Sequence, residues 1–333
     1  MLKVAINGFG RIGRATAKIL LDKTGVDLVA INDLAPIETL AHLLKYDSCY
    51  RIYEKEVGFD ETSLIVNNHK ILFLSEKDPT DLPWEELEVD VVIESTGIFL
   101  TNADAKKHLE AGAKKVVLSA PAKDDKVPTF VIGANEKDYK GEKIISNASC
   151  TTNCIAPVMR VLDDVFGIEK SLMTTIHSYT ADQVLVDGPH KDLRRARSAA
   201  QNIIPTTTGA AKAAAKTVKS LEGRFDGLSI RVPTPVVSLL DITAVLKKKT
   251  DIETINKVLA DAAETSHANI IACSEEPLVS SDLIQNPASA IVDLPLTQVI
   301  KGDLIKVIAW YDNEWGYSCR LAEMAELVAN FKD

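Results

Sequence analysis

Apolar residues in the first 120 positions come in short runs of four or five, separated by stretches where they recur every three or four positions. Runs at Lys3–Ile6, Asp27–Ile31, Asp90–Ile93 and Lys115–Leu118 have the length and β-branched content of buried strands. Between them, Arg11–Leu21, Ile37–Leu44 and Asn102–Glu110 carry helical periodicity. Strand and helix alternating in this rhythm predict a parallel sheet covered on both faces. The pattern shifts near residue 60, where Ser63–Val66 and Lys70–Leu74, separated by Asn67-Asn68-His69, predict a hairpin added to that sheet. Beyond residue 149 the texture changes. A helix over Ser149–Val165 is followed by longer strand-like runs at Ser171–Ile176, Leu228–Val232, Val236–Leu246 and Leu304–Trp310, which read as antiparallel. Few periodic apolar positions occur over Asp182–Thr208, and a loop that long is usually functional or disordered. A last helix is expected over Tyr317–Phe331.

The length of 333 residues exceeds what one hydrophobic core ordinarily supports, so two domains are expected. A formal net charge of -9 makes the chain a poor general binder of nucleic acid or anionic membrane, and neither partner is expected. Any basic cluster therefore becomes informative about a local anion site. Five cysteines, an odd number with no zinc-like spacing, argue for a reducing compartment and against a disulfide framework; no metal is expected. The start of the chain lacks a cationic segment followed by an apolar one, and no run approaches membrane-spanning length, so a cytoplasmic protein is expected.

Directly after the first strand stands Asn7-Gly8-Phe9-Gly10-Arg11-Ile12-Gly13, which contains the spacing G-x-G-x-x-G. Glycine serves the tight turn, the close approach of a pyrophosphate and the packing of helix on strand, while the helix start favours the phosphates. Asp33 follows Gly13 by twenty positions at the end of the second strand, where a carboxylate accepts from ribose hydroxyls and repels a 2′-phosphate. A glycine-rich turn with an aspartate that caps the next helix is the plainer alternative. It leaves the conjunction of strand, glycines, helix and acid unexplained. The cofactor indicated is NAD.

Ser146–Cys154 joins the strand Lys143–Ile145 to the 149–165 helix. Ser149 is placed as the N-cap and Cys150 in the first turn, where the helix dipole favours a thiolate. A small buried cysteine is the commoner fate of this residue type, and Cys154, one turn deeper, is expected in the core. His177 ends the strand Leu172–Ile176 and is followed by Ser178-Tyr179-Thr180, which makes it the candidate base. A strand-end histidine hydrogen-bonded for structure is the alternative. His69, His108, His190 and His267 read as loop or helix-surface residues, and His42 as part of an amphipathic helix. For anions, Lys191, Arg194, Arg195 and Arg197 crowd one loop, Thr206-Thr207-Thr208-Gly209 precedes a helix over Ala210–Val218, and Arg231 enters Val232-Pro233-Thr234-Pro235. A solvated or subunit-facing loop would account for the basic run equally well.

Six segments in order resemble the glyceraldehyde-3-phosphate dehydrogenase family: Ile6–Arg14, Ser146–Cys154, His177–Thr180, Pro205–Lys212, Arg231–Pro235 and Trp310–Glu314. The resemblance implies an α/β chain with a Rossmann-type doubly wound parallel sheet and an α+β catalytic domain with a mostly antiparallel sheet. It places the NAD-binding domain at 1–148, with the helix over 313–333 packing back on it, and the catalytic domain at 149–312. It implies oxidation of glyceraldehyde 3-phosphate with inorganic phosphate, through a thiohemiacetal and then a thioester on Cys150, with His177 as base. By resemblance, Thr180 and Arg231 hold the substrate phosphate; Ser149, Thr151, Thr208 and Gly209 hold inorganic phosphate; Arg195 helps bind anions. The cofactor residues carried over, beside Gly8, Gly10 and Gly13, are Arg11, Ile12, Asp33, Lys77 (where many relatives have Arg), Ser119 and Asn313, the last orienting the carboxamide. A homotetramer is implied. The resemblance leaves two rivals. One is erythrose-4-phosphate dehydrogenase, which hydrolyses its thioester and departs from Thr208-Gly209. The other is a cofactor-sensing protein with a dead site, against which the intact Cys150 and His177 argue.

Overall fold

The computed structural model describes residues 1–331. Contacts divide the chain into two units: the first comprises Met1–Phe130, Lys137–Ala148 and the residues from Ser318 onward, and the second comprises Val131–Glu136 and Ser149–Tyr317.

The first unit runs β1 (Leu2–Asn7), α1 (Arg11–Leu20), β2 (Val26–Asn32), α2 (Ile37–Lys45), a small ribbon β3 (Tyr46–Asp47) and β4 (Arg51–Ile52), then β5 (Val57–Phe59), β6 (Ser63–Val66) and β7 (His69–Leu74). It continues with β8 (Val91–Glu94), α3 (Asn102–Glu110), β9 (Lys115–Leu118) and β10 (Ile144–Ser146). The strands form one eight-stranded sheet ordered β10-β9-β8-β1-β2-β7-β6-β5, parallel from β10 through β7. All four residues of β8 are buried, as a strand covered on both faces must be, and this is why the parallel strands read as unbroken apolar runs. One face packs Ala5, Ala30 and Val92 against Trp84, Leu82 and Val89; near the other end Val116, Leu118 and Ile144 pack against Ala105 of α3. The order of strands reverses between β1 and β8, and a crevice opens at their carboxyl ends, the usual place for a ligand in such a sheet.

The expected hairpin is β6–β7, but its turn is only Asn67-Asn68, and β7 begins at His69. Both asparagines have positive φ (46° and 65°), the conformation that a two-residue turn matching the strand twist requires and that asparagine tolerates.

The second unit contains α4 (Cys150–Phe166), β11 (Ile168–Ser178), β12 (Ile204–Thr207), α5 (Ala210–Thr217), β13 (Phe225–Val232), β14 (Ser238–Leu246) and α6 (Ile252–Glu264). After these come β15 (Ile271–Ser274), β16 (Ala290–Asp293), β17 (Gln298–Ile300), β18 (Leu304–Tyr311) and the start of α7 (Trp315–Asn330). Its sheet is ordered β12-β13-β11-β14-β18-β16-β15, with β17 also on β18. Burial alternates strictly along β14, with Ser238, Leu240, Ile242, Ala244 and Leu246 inward; α4 covers this face. The sheet is mostly antiparallel, as expected, with two exceptions. β11 and β13 pair in parallel, as do β15 and β16. A parallel return needs a long crossover, and the 179–203 loop, β12 and α5 supply it.

Gly13 is the tightest point of the β1–α1 turn: a Cβ there would lie 2.2 Å from the Gly8 carbonyl oxygen. Gly13→Ala is expected to push α1 off β1 at a cost of about 1–3 kcal/mol, read as a lower urea midpoint of the variant. An unchanged midpoint would mean that the turn relaxes freely.

Candidate active site

A cleft suited to a cofactor lies within the first unit. Asn7, Gly8, Gly10, Asn32, Asp33 and Lys77 line one cleft of about 770 Å³, together with Leu34, Glu76, Ser95, Thr96, Ile98 and Phe99. Gly8 adopts φ +93°, and a Cβ on it would strike the Thr96 backbone nitrogen at 2.6 Å. Asp33 is held rigidly, its Oδ2 accepting from the Phe9 N–H at 2.7 Å and its Oδ1 from the Ala35 N–H at 2.9 Å. No side chain caps the start of α1, and a Cβ on Gly10 would meet nothing within 4 Å. An open helix start beside a fixed carboxylate fits a dinucleotide whose pyrophosphate sits on the helix and whose ribose meets Asp33. Arg11 is paired with Asp47 at 2.6 Å and lies over the Tyr50 ring. Ile12 and Gly13 follow on α1. Ser119 comes after β9 with its N–H on the Glu94 carbonyl, outside the residues lining the cleft.

The cysteine and histidine candidates lie within the second unit. Ser149 caps α4, its Oγ accepting from the Thr152 N–H at 3.2 Å, and this places Cys150 at the first helical position. Cys150 Sγ lies 3.5 Å from His177 Nε2. His177 Nδ1 lies 2.6 Å from the Ser178 carbonyl oxygen, which can only accept. Nδ1 therefore carries the proton and Nε2 turns its lone pair to the sulfur. Parallel pairing of β11 and β13 sets Arg231 directly beside His177. Its Nη1 comes within 3.2 Å of Nδ1 and donates to the Ser178 carbonyl (3.1 Å) and to Thr180 Oγ1 (2.9 Å). Thr180 in turn donates to Asp182, which pairs with Arg195. Arg195 also donates to Thr206 Oγ1 at 3.0 Å and to the Thr207 carbonyl at 3.1 Å. Thr208 and Gly209 come next, at the N-terminus of α5, and Thr208 Oγ1 accepts from the Ala210 N–H at 3.1 Å. Lys191, Arg194 and Arg197 remain on the exposed side of the loop, with Arg197 on Asp187.

Electrostatics set the resting state of the pair. Burial, reinforced by the Arg231 charge, pushes His177 down from 6.5 to about 3, so the imidazole is neutral. Burial also pushes the Cys150 thiol up, against the hydrogen bond from Thr151 and the charge of Arg231. The helix start alone was expected to favour a thiolate; desolvation outweighs it here. Burial works on Asp182 in the same upward sense, yet the Thr180 hydroxyl, Arg231 and Arg195 together hold its carboxyl below the usual range.

Several residues of this cluster have no local sequence signal. Tyr311 is buried, and its hydroxyl lies 2.9 Å from both Thr151 Oγ1 and Thr175 Oγ1. It thereby ties the first turn of α4 to β11, two residues before His177. Ser178 donates its N–H to Ser238 Oγ (3.1 Å), which donates to Asn313 Oδ1 (3.0 Å). Cys154 is fully buried, as expected. His108 departs from its reading as a helix-surface residue: it is 0% exposed and bonded to Glu94 and Trp84. Its helix presents His108 and Ala105 inward, a face too narrow to show in the apolar pattern. A concavity on the second unit, about 1020 Å³ and lined by Lys170, Leu172, Lys216 and Phe225 among others, contains none of the site residues. Among the described residues no cluster of metal-ligating side chains occurs.

Two family models match the chain: the glyceraldehyde 3-phosphate dehydrogenase NAD binding domain over residues 2–102, and the C-terminal domain of the same family over residues 149–313. A glyceraldehyde-3-phosphate dehydrogenase 2 of Bacillus subtilis is 52% identical across 98% of this chain and 97% of its own length. The chain belongs to the glyceraldehyde-3-phosphate dehydrogenase family. The Geobacillus stearothermophilus glyceraldehyde-3-phosphate dehydrogenase is 51% identical over 99% of this chain and 98% of its own. A chloroplastic glyceraldehyde-3-phosphate dehydrogenase A of Chlamydomonas reinhardtii is 49% identical over 98% of this chain and 89% of its own. Membership of this family agrees with an NAD-type cleft in the first unit and a cysteine–histidine pair in the second.

Because His177 is held neutral in the fold, the unfolded chain binds its proton first as pH falls. Stability is therefore full above about pH 6.5 and is lost progressively as pH drops from there toward about 3. The whole loss from this residue is up to roughly 5 kcal/mol. His177→Gln should flatten urea midpoints over that window relative to wild type; parallel curves would show that other groups carry the acid sensitivity.

Proposed function

We propose that this chain oxidises D-glyceraldehyde 3-phosphate to 1,3-bisphosphoglycerate, with uptake of inorganic phosphate and reduction of NAD. The observation that carries the reading is the neutral His177 with its bare Nε2 facing the Cys150 sulfur, beside the Arg231–Thr180 pair, in a chain of this family. Asp33, which would repel a 2′-phosphate, supports NAD over its phosphorylated form.

Cys150 Sγ adds to the aldehyde carbon while His177 Nε2 takes the thiol proton. The same nitrogen returns that proton to the new alkoxide, near the Cys150 N–H at the start of α4. It removes the proton again as the carbon is oxidised, leaving a thioester on Cys150. When bound, the dinucleotide supplies the acceptor for the hydride. Gly8, Gly10, Arg11, Ile12, Gly13, Asp33, Lys77 and Ser119 are assigned to hold it, and Asn313, fixed by Ser238, is assigned to the carboxamide. Thr180 and Arg231 take the phosphate of the substrate. Inorganic phosphate goes to Ser149, Thr151, Thr208 and Gly209, with Arg195 contributing charge. Attack of that phosphate on the thioester releases the sulfur, which recovers its proton from His177. A thioester conserves the energy of oxidation for this phosphorolysis, where direct hydration would dissipate it.

We assign the chain to a homotetramer in the cytoplasm, without a membrane or nucleic-acid partner. Exposed Leu172 and Leu228 on the second sheet, with Leu185, Val186 and Leu193 on the 182–203 loop, support a subunit interface. Light scattering should give four times the 36.2 kDa of one chain; a monomer would remove this assignment alone.

NADH formation followed at 340 nm with glyceraldehyde 3-phosphate should require inorganic phosphate, and Cys150→Ser should lose at least ~10⁴-fold in kcat. Turnover indifferent to phosphate would mean that water resolves the thioester. No turnover would refute the enzymatic reading.

A further inference from the structure

Beneath the cofactor cleft, wholly inside the first unit, lies a buried polar chain whose members no family role covers. Glu94 and His108 are 0% exposed, Asn7 1% and Asn32 4%. The direction of every hydrogen bond in this chain follows from groups that cannot change. The Trp84 indole N–H donates to His108 Nδ1 at 3.1 Å, so the proton of His108 sits on Nε2 and points to Glu94 Oε2 at 3.0 Å. At the far end, the Glu76 N–H donates to Asn32 Oδ1 at 2.8 Å and the Glu76 carbonyl accepts from Asn32 Nδ2 at 2.9 Å. Asn32 is thereby oriented, and its Nδ2 also donates to Asn7 Oδ1 at 2.7 Å. The amide of Asn7 is then oriented too, and its Nδ2 donates to Glu94 Oε2 at 2.6 Å. The other oxygen, Oε1, accepts from the Thr96 N–H at 2.8 Å and from the Thr96 hydroxyl at 2.5 Å. Four donors converge on one side chain, so position 94 must accept at both of its oxygens.

The residues so tied are the walls of the cleft: Asn7 precedes Gly8, Asn32 precedes Asp33, Glu76 precedes Lys77, and Thr96 lies against Gly8. His108 also meets Phe99, another lining residue, edge to face at 6.3 Å.

We propose that Glu94, oriented by His108 and Trp84, is the positioning residue of the dinucleotide cleft: one buried acceptor that sets the glycine turn, the ribose-binding aspartate and the 76–77 segment relative to each other. The proposal rests on the NAD reading of that cleft. Glu94→Gln keeps the volume but brings an NH₂ group that must face either the Thr96 N–H or the Asn7 and His108 donors. Neither amide nor imidazole can turn to accept it without opposing Glu76 or Trp84, so the mismatch is passed to the cleft walls.

The test is calorimetric titration with NAD of wild type, Glu94→Gln, Trp84→Phe and Val127→Ala. Val127 is buried in the core beside β9 and does not line the cleft, so its variant is a control for lost stability. Glu94→Gln should weaken NAD binding at least tenfold and Trp84→Phe two- to fivefold. Val127→Ala should change it less than twofold, even with a comparable fall in Tm. Alkylation of Cys150 in the absence of NAD should proceed at the wild-type rate in Glu94→Gln, since that thiol lies in the other unit. Wild type failing to bind NAD would refute the cofactor reading itself. With that binding secure, unchanged affinity in a folded Glu94→Gln, or equal weakening in Val127→Ala, overturns the positioning role. Should Glu94→Gln fail to fold, Trp84→Phe with wild-type affinity overturns it.

Discussion

The Ser178 carbonyl oxygen is the fixed point of the chemical site. It takes the Nδ1 proton of His177 and a guanidinium proton of Arg231 at once. The first bond leaves Nε2 free of a proton and facing Cys150. The second holds a cation against the same ring, which adds to burial in keeping the imidazole neutral. Ser178 itself is held by Ser238 through its N–H and by the Val237 carbonyl through its hydroxyl. Val237 carries φ +69°, rare for a β-branched residue, so the support of the carbonyl is bought with local strain.

The charge of Arg231 disfavours a proton on both partners, which leaves one neutral and would leave the other charged. It disfavours a proton on His177 and favours a negative charge on Cys150. Burial opposes ionisation of either one and dominates in both. Both groups are thus biased toward their neutral forms.

The features legible in the sequence are those whose cause is local. Gly8, Gly10 and Gly13 with Asp33 announce a turn, a helix start and a strand end, each decided within a few residues. Cys150 behind Ser149 announces a capped helix in the same way. Residues whose role depends on distant partners left no such trace. Tyr311 acts through Thr151 and Thr175, 160 and 136 positions away. His108 is buried because Glu94 and Trp84 await it, and on the pattern of its own helix it reads as a surface residue. Strand periodicity likewise shows which side chains face inward but not which strand lies alongside, so the parallel pairing of β11 with β13 could not be seen. The short turn at Asn67-Asn68 was obscured because His69 looks like a loop residue, although it is the first residue of β7.

That parallel pairing has a consequence for the order in which the molecule is made. His177 and Arg231 meet only after some fifty intervening residues, counted from 177 to 231, have been laid down and threaded back. Contacts of such separation form late in folding, because the chain must give up loop entropy before they return anything. Until then Cys150 lacks both the oriented His177 and the neighbouring Arg231. The neighbourhood of Cys150 is thus a product of the folded chain and not of the short stretch of sequence that carries it.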